Sequence, residues 1–150
     1  MFEAPKRRVD RVFIHCSASD MRFHDPMHEV EDEGQKMLAE ITRWHLKRGF
    51  DGVGYHYLIN KSGSIIAGRD REKAPAAQKG HNTGTIAIMV HGLSDFSASS
   101  MTALTEFCGQ INEAYSGRIS FHGHCEVSWK ACPVFNYRKV LSLDRFGRMP

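Results

Sequence analysis

The stretch Phe121-His122-Gly123-His124-Cys125-Glu126-Val127-Ser128-Trp129-Lys130-Ala131-Cys132-Pro133 gathers two histidines, a lysine and two cysteines. Imidazole nitrogen and thiolate sulfur suit a borderline-soft divalent ion such as Zn2+, and a catalytic zinc commonly takes three protein ligands and leaves a fourth position for water. His124 and Cys132 have the chemistry of such ligands, and Pro133 fixes the backbone just beyond the sulfur. His122 has the same chemistry as His124. The two share a face if a strand continues through them, so spacing does not separate them. A third ligand must come from elsewhere, and the best candidate is His15, delivered at the end of the apolar run Val12-Phe13-Ile14. Zinc would lower the pKa of a bound water towards about 7 and polarise a carbonyl oxygen, which suits hydrolytic chemistry. Lys130 could then donate to the oxyanion of a tetrahedral intermediate, where charge stabilisation is often the largest catalytic term. Each residue alone also has a plainer reading: a core histidine for His15, an inert buried thiol for Cys132, an exposed amine for Lys130.

The elements that must position these groups follow from hydrophobic periodicity. Val9 to Cys16 reads as a buried central strand. Gln35 to Arg48 reads as a helix, with Met37, Leu38, Ile41, Trp44 and His45 at helical spacing and Gly49 past its end. His45, beside the apolar stripe, is expected to be a packed structural histidine. Gly54 to Asn60 alternates as a strand, with Tyr55 and Tyr57 on one face and His56 on the other, and Ile65 to Ala67 returns as its hairpin partner. Arg69 to Asn82 is a long connection expected to line one side of a cleft. Ile86 to Val90 is a further buried strand. Ser97 to Tyr115 is a second helix, with Met101, Leu104, Cys108, Ile111 and Tyr115 on one face and serines available as caps. A short strand starts at Ile119, and Asn136 caps a last helix containing Tyr137, Val140 and Leu141. Glu126 should point away from the ligands by strand alternation, which leaves no identifiable carboxylate as general base. Asp20 to Gly34 reads as a solvated polar loop. His24 and His28 there mimic an i, i+4 ligand pair, but Pro26 between them argues against a helix. Alternating strands and helices give a single α/β domain with a central mixed β-sheet flanked by helices. Its expected extent is 9–143, between a flexible N-terminus at 1–8 and a tail at 144–150.

A chain of 150 residues fits one domain with a real core. The net charge of +3 is too mild to indicate a polyanionic partner, so direct nucleic-acid binding is not expected. No apolar run approaches the ~18 residues of a transmembrane segment. The first residues lack an apolar core after their basic ones, unlike a secretory signal. The cysteines at 16, 108, 125 and 132 are therefore expected as reduced thiols. Cys132 is the ligand among them, Cys108 a core residue, and Cys16 and Cys125 small buried side chains.

His15-Cys16-Ser17-Ala18 after an apolar strand, Gly52-Val53-Gly54-Tyr55-His56-Tyr57-Leu58-Ile59, and His124 through Lys130-Ala131-Cys132-Pro133 occur in this order from about Val9 to Val140. Together they resemble the zinc N-acetylmuramoyl-L-alanine amidases, the type 2 amidases related to the peptidoglycan recognition proteins. That family includes small phage endolysins of the T-seven lysozyme type. The resemblance implies an α/β fold with a groove above one zinc, held by His15, His124 and Cys132. It selects His124 over His122 because the family's ligand lies eight residues before the cysteine. It also implies catalytic roles for Tyr55 and Lys130, the tyrosine orienting or deprotonating the zinc water or donating to the oxyanion. The implied reaction is cleavage of the bond between N-acetylmuramic acid and L-alanine in peptidoglycan. An endolysin of this kind is made in the host cytoplasm and acts in the periplasm. Phage relatives carry a histidine just before the lysine-glycine loop, whereas Ala76-Ala77-Gln78-Lys79-Gly80-His81-Asn82 has none there. Lys79, His81 and Asn82 are the substrate-binding candidates, with Gln78 as another group that could serve. Alternatives from the same family are a noncatalytic peptidoglycan-binding module, which commonly loses the cysteine ligand, and an amidase that also binds a phage RNA polymerase.

Overall fold

The computed structural model describes residues 1–23 and 33–150. Strand β1 (Arg11–Cys16) lies at the heart of a five-stranded sheet, as its apolar run requires. It pairs in parallel with β4 (Thr85–Val90) on one side and with β5 (Ser120–Gly123) on the other. Beyond β4 lies β2 (Tyr57–Ile59), also parallel, and the antiparallel edge strand β3 (Ile65–Ala67). The order is β3-β2-β4-β1-β5, the mixed sheet expected from the sequence.

Side-chain alternation divides the core between the two faces. Val12 and Ile14 of β1, with Ile86, Ile88 and Val90 of β4, pack against Leu104, Phe107, Cys108 and Ile111 of helix α2 (Ala98–Ala114). Tyr137 of the short helix α3 (Tyr137–Val140) and Leu141 join this cluster. On the opposite face Leu58 and Met89 pack against Met37 and Ile41 of helix α1 (Glu33–Lys47). The expected caps are in place: Ser97 accepts from the Ser100 amide and Asn136 from the Lys139 amide. Helix α1 begins slightly before the expected Gln35 and stops at Lys47, with Gly49 at φ +89° just beyond.

Four expectations need correction. The first residues are not frayed, because Phe2 is buried with its ring 6.2 Å from Tyr57 and 5.9 Å from Phe107. Residues 144–150 are likewise docked, through the Phe121 amide to the Gly147 carbonyl at 2.7 Å and Arg148 to the Gly117 carbonyl at 2.8 Å. Tyr55 and Tyr57 do not share a strand face: β2 starts only at Tyr57, and the two rings join opposite core clusters. Cys125 is exposed rather than buried, because it lies in a single 3-10 turn (His124–Glu126) instead of a strand. The His24 and His28 pair and most of the 20–34 loop lie outside the described residues.

Candidate active site

Parallel strands direct their carboxyl ends to one edge of the sheet, where α/β proteins place their ligands. His15 is the penultimate residue of β1 and shares with Phe13 the α1 side of the sheet. It is 1% exposed. His124 follows the last residue of β5 at the point where the chain turns into the 3-10 turn. That turn separates the two histidines that periodicity could not. His122 stays in the strand, with its ring 5.4 Å from Phe13 and its nitrogens on Ser120 Oγ (2.7 Å) and Glu126 Oε1 (3.0 Å). His124 swings to within 4.6 Å of His15, centroid to centroid. Gly123 makes this exit possible, since a Cβ there would lie 2.5 Å from the Tyr137 ring. Cys132 returns in the following loop. The Cys16 amide donates to its Sγ at 3.1 Å, and the Cys125 amide donates to its carbonyl at 2.7 Å.

One donor atom from each of His15, His124 and Cys132 falls within a mutual span of 4.8 Å. The metal-ligand expectation thus meets a geometry that could hold an ion. His15 Nδ1 lies 3.9 Å from Cys132 Sγ, a separation an ion could bridge at ordinary zinc distances. Burial, followed by the neighbouring His124, holds the His15 pKa down at about 3, so the ring keeps a free lone pair at neutral pH. The His124 pKa is lowered by burial and then by Lys130. Hydrogen bonding with Cys16, and then burial, push the Cys132 thiol up, and a divalent cation is the agent that would draw its proton off.

Beside His124 and Cys132 a cleft of about 640 Å³ is lined by Tyr55, Lys79, Asn82, Lys130 and, from the end of α1 and its loop, Arg48 and Phe50. Arg48 was not anticipated from the sequence, where it reads only as a helix-terminal cation. Burial holds the Tyr55 phenol well above its usual range, so at neutral pH it is a donor. Its ring lies 5.1 Å from those of His15 and His45. His45 is a structural histidine, as expected: its Nδ1 accepts the Gly54 amide at 2.8 Å. Gly54 in turn lets the 76–78 segment close over the site, since a Cβ there would meet the Ala76 carbonyl oxygen at 2.1 Å.

The candidate substrate residues separate. Lys79 and Asn82 line the cleft, whereas His81 is not among its lining residues and acts through its backbone, its amide donating to the Gln78 carbonyl at 2.8 Å. Asn82 Oδ1 also accepts from the Ala77 and Gln78 amides, which fixes the loop. Gln78 turns inward and is fully buried against His15. Glu126 is engaged by the Tyr137 hydroxyl, the Gly123 amide and His122, through a folded-back turn rather than by alternation.

Residues 5–135 match the family model described as N-acetylmuramoyl-L-alanine amidase. The chain belongs to that amidase family. Within it, the chain is 30% identical over 142 residues to the endolysin of Escherichia phage T7, covering 89% of this chain and 86% of that one. The endolysin of Klebsiella phage KP32 is 28% identical with the same coverage. Among solved structures, the N-acetylmuramoyl-L-alanine amidase LysC from Clostridium intestinale URNW has the same fold, with a TM-score of 0.71 at 21% identity, over 91% of this chain and 85% of that one. The strand ends that carry His15 and His124, and the cleft beside them, lie on one edge of the sheet. No helix among the described residues is long and apolar enough to cross a membrane.

Proposed function

We propose that this amidase is a zinc-dependent phage endolysin that hydrolyses the amide between N-acetylmuramic acid and L-alanine in bacterial peptidoglycan. The observation that carries the reading is the convergence of His15, His124 and Cys132, donors from opposite ends of the chain, beside a cleft of substrate size. One ion held by these residues would supply an activated water and polarise the scissile carbonyl. Two imidazoles and one thiolate are a fitting donor set for zinc, and they leave a coordination position open.

The remaining work falls to the chain's own groups. Lys130, exposed at the cleft, would donate to the oxyanion that develops on the carbonyl oxygen. Tyr55, held as a neutral phenol, acts as a second donor. Arg48 and Lys79 suit the carboxylates of the stem peptide, and no carboxylate lies among the described lining residues to oppose them. Asn82 holds the loop that carries Lys79.

Mass spectrometry of digested peptidoglycan tests the reading. The expected products are glycan with free muramic lactyl groups and stem peptides beginning with free L-alanine. Both should vanish with chelator and in Cys132→Ser. Cut sugars with intact lactyl-peptide bonds would refute the assignment. Binding to peptidoglycan with no products, in zinc-replete protein, would favour the noncatalytic module.

A further inference from the structure

His15 Nε2 lies 2.9 Å from Gln78 Oε1, a contact buried on both sides and spanning 63 positions of sequence. The identity of the Gln78 atom facing the histidine follows from its other end. Gln78 Nε2 donates to Thr85 Oγ1 at 2.7 Å and to the His81 carbonyl at 3.2 Å. Thr85 Oγ1 gives its own proton to the Asn82 carbonyl at 2.8 Å, so towards Gln78 it can only accept. A flipped amide would set an oxygen against two acceptors. Gln78 therefore presents its oxygen to His15, and Nε2 of the neutral imidazole must carry the proton. Nδ1 is then the bare nitrogen, and it is the one facing Cys132 Sγ.

We propose that Gln78 is a positioning residue of the metal centre: the Asn82–Thr85–Gln78 relay locks His15 in the Nε2–H tautomer with Nδ1 aimed at the ion. This rests on the zinc reading above. A ligating histidine gains ring orientation and basicity when its second nitrogen donates to an oxygen acceptor, and loss of such a partner typically costs 10–100-fold in metal affinity. Gln78 thus has no free polar atom for substrate, and its place in the lysine-glycine loop ties that loop to the metal ligand.

The test is zinc affinity, measured by competition with a chromophoric chelator, in the parent and in Gln78→Met, Gln78→Glu and Thr85→Val. Gln78→Met, which removes the acceptor, is expected to weaken zinc binding about 10–100-fold. Gln78→Glu keeps the acceptor towards His15 and, protonated on the oxygen that meets Thr85 Oγ1 and the His81 carbonyl, keeps a donor there too, so it should bind zinc more tightly than Gln78→Met, a rescue that generic loop damage would not give. Thr85→Val removes one of the two acceptors that hold the amide in place and should weaken binding in the same direction by less. Long-range ¹H–¹⁵N spectra of the zinc-free protein should show His15 as the Nε2–H tautomer in the parent and as a mixture in Gln78→Met. If Gln78→Met does not fold, Thr85→Val decides. The proposal is overturned if Gln78→Met, or in its absence Thr85→Val, binds zinc as the parent does, or if Gln78→Glu falls as far as Gln78→Met. A parent that takes up no zinc would sink the enzyme reading as well, whereas a zinc-loaded, active parent beside an unaffected Gln78→Met sinks this inference alone.

Discussion

His15 and His124 reach the same point for different reasons, and only one reason was legible in the chain. His15 ends an apolar strand, and its place on the α1 side follows from period-two alternation. His124 was separable from His122 only through the family's spacing. The physical cause is that the chain leaves the strand at Gly123, where a glycine is needed to clear Tyr137. Gln78 was visible only as a loop residue with possible substrate contact, because nothing in sequence links it to a histidine 63 positions away. Two substitutions separate chemistry from metal binding. Lys130→Met should lower kcat about 10²–10³-fold by removing one oxyanion donor. Tyr55→Phe should lower it about 10²-fold on the same ground. Both should keep a full zinc equivalent, read by metal analysis beside a turbidity assay on outer-membrane-permeabilised cells. Loss of zinc in either variant would move that residue from catalysis to support of the site.

The strands and long helices were readable because each carries an uninterrupted period. β1, β4 and α2 begin and end within a residue or two of expectation, and Ser97 and Asn136 cap as anticipated. The segment from Gly54 to Tyr57 was misread because alternation in sequence continues where pairing does not. Tyr55 precedes the strand and turns to His15, while Tyr57 faces α2. Gly54 carries this arrangement, with the Ala76 carbonyl packed where a Cβ would stand. Gly54→Ala is expected to cost about 1–3 kcal/mol through overpacking. It should also raise KM, since the displaced segment bears Lys79. Gly52→Ala, with open space around the position, is the matched control and should be near neutral. Equal thermal midpoints for the two variants would contradict the close approach.

The two ends of the chain were the least legible part of the molecule, because their anchors are single side chains and backbone bonds made to distant elements. Phe2→Ala should destabilise the fold by about 3 kcal/mol while leaving kcat of the folded protein unchanged, as measured by denaturant unfolding beside activity. His45 and His56 add, beside the buried His15, to the acid sensitivity of the domain. His45 Nδ1 accepts the Gly54 amide and His56 Nδ1 accepts the Ala87 amide, so both rings must stay neutral. Burial lowers each from 6.5 to about 4. Between these values the unfolded chain binds protons that the folded one refuses. Their contribution to stability is therefore complete above about pH 6.5 and drains away as pH falls towards 4. The slope approaches about 1.4 kcal/mol per pH unit for each histidine. Unfolding midpoints of the zinc-free protein across this window should fall accordingly. A flat profile would show that the rings titrate normally.

The most direct measurement is anomalous diffraction at the zinc edge from crystals of the zinc-loaded protein. One peak is expected, about 2.0–2.1 Å from His15 Nδ1 and a His124 ring nitrogen and about 2.3 Å from Cys132 Sγ. A peak on His122 or elsewhere, or none at full zinc loading, would contradict the account.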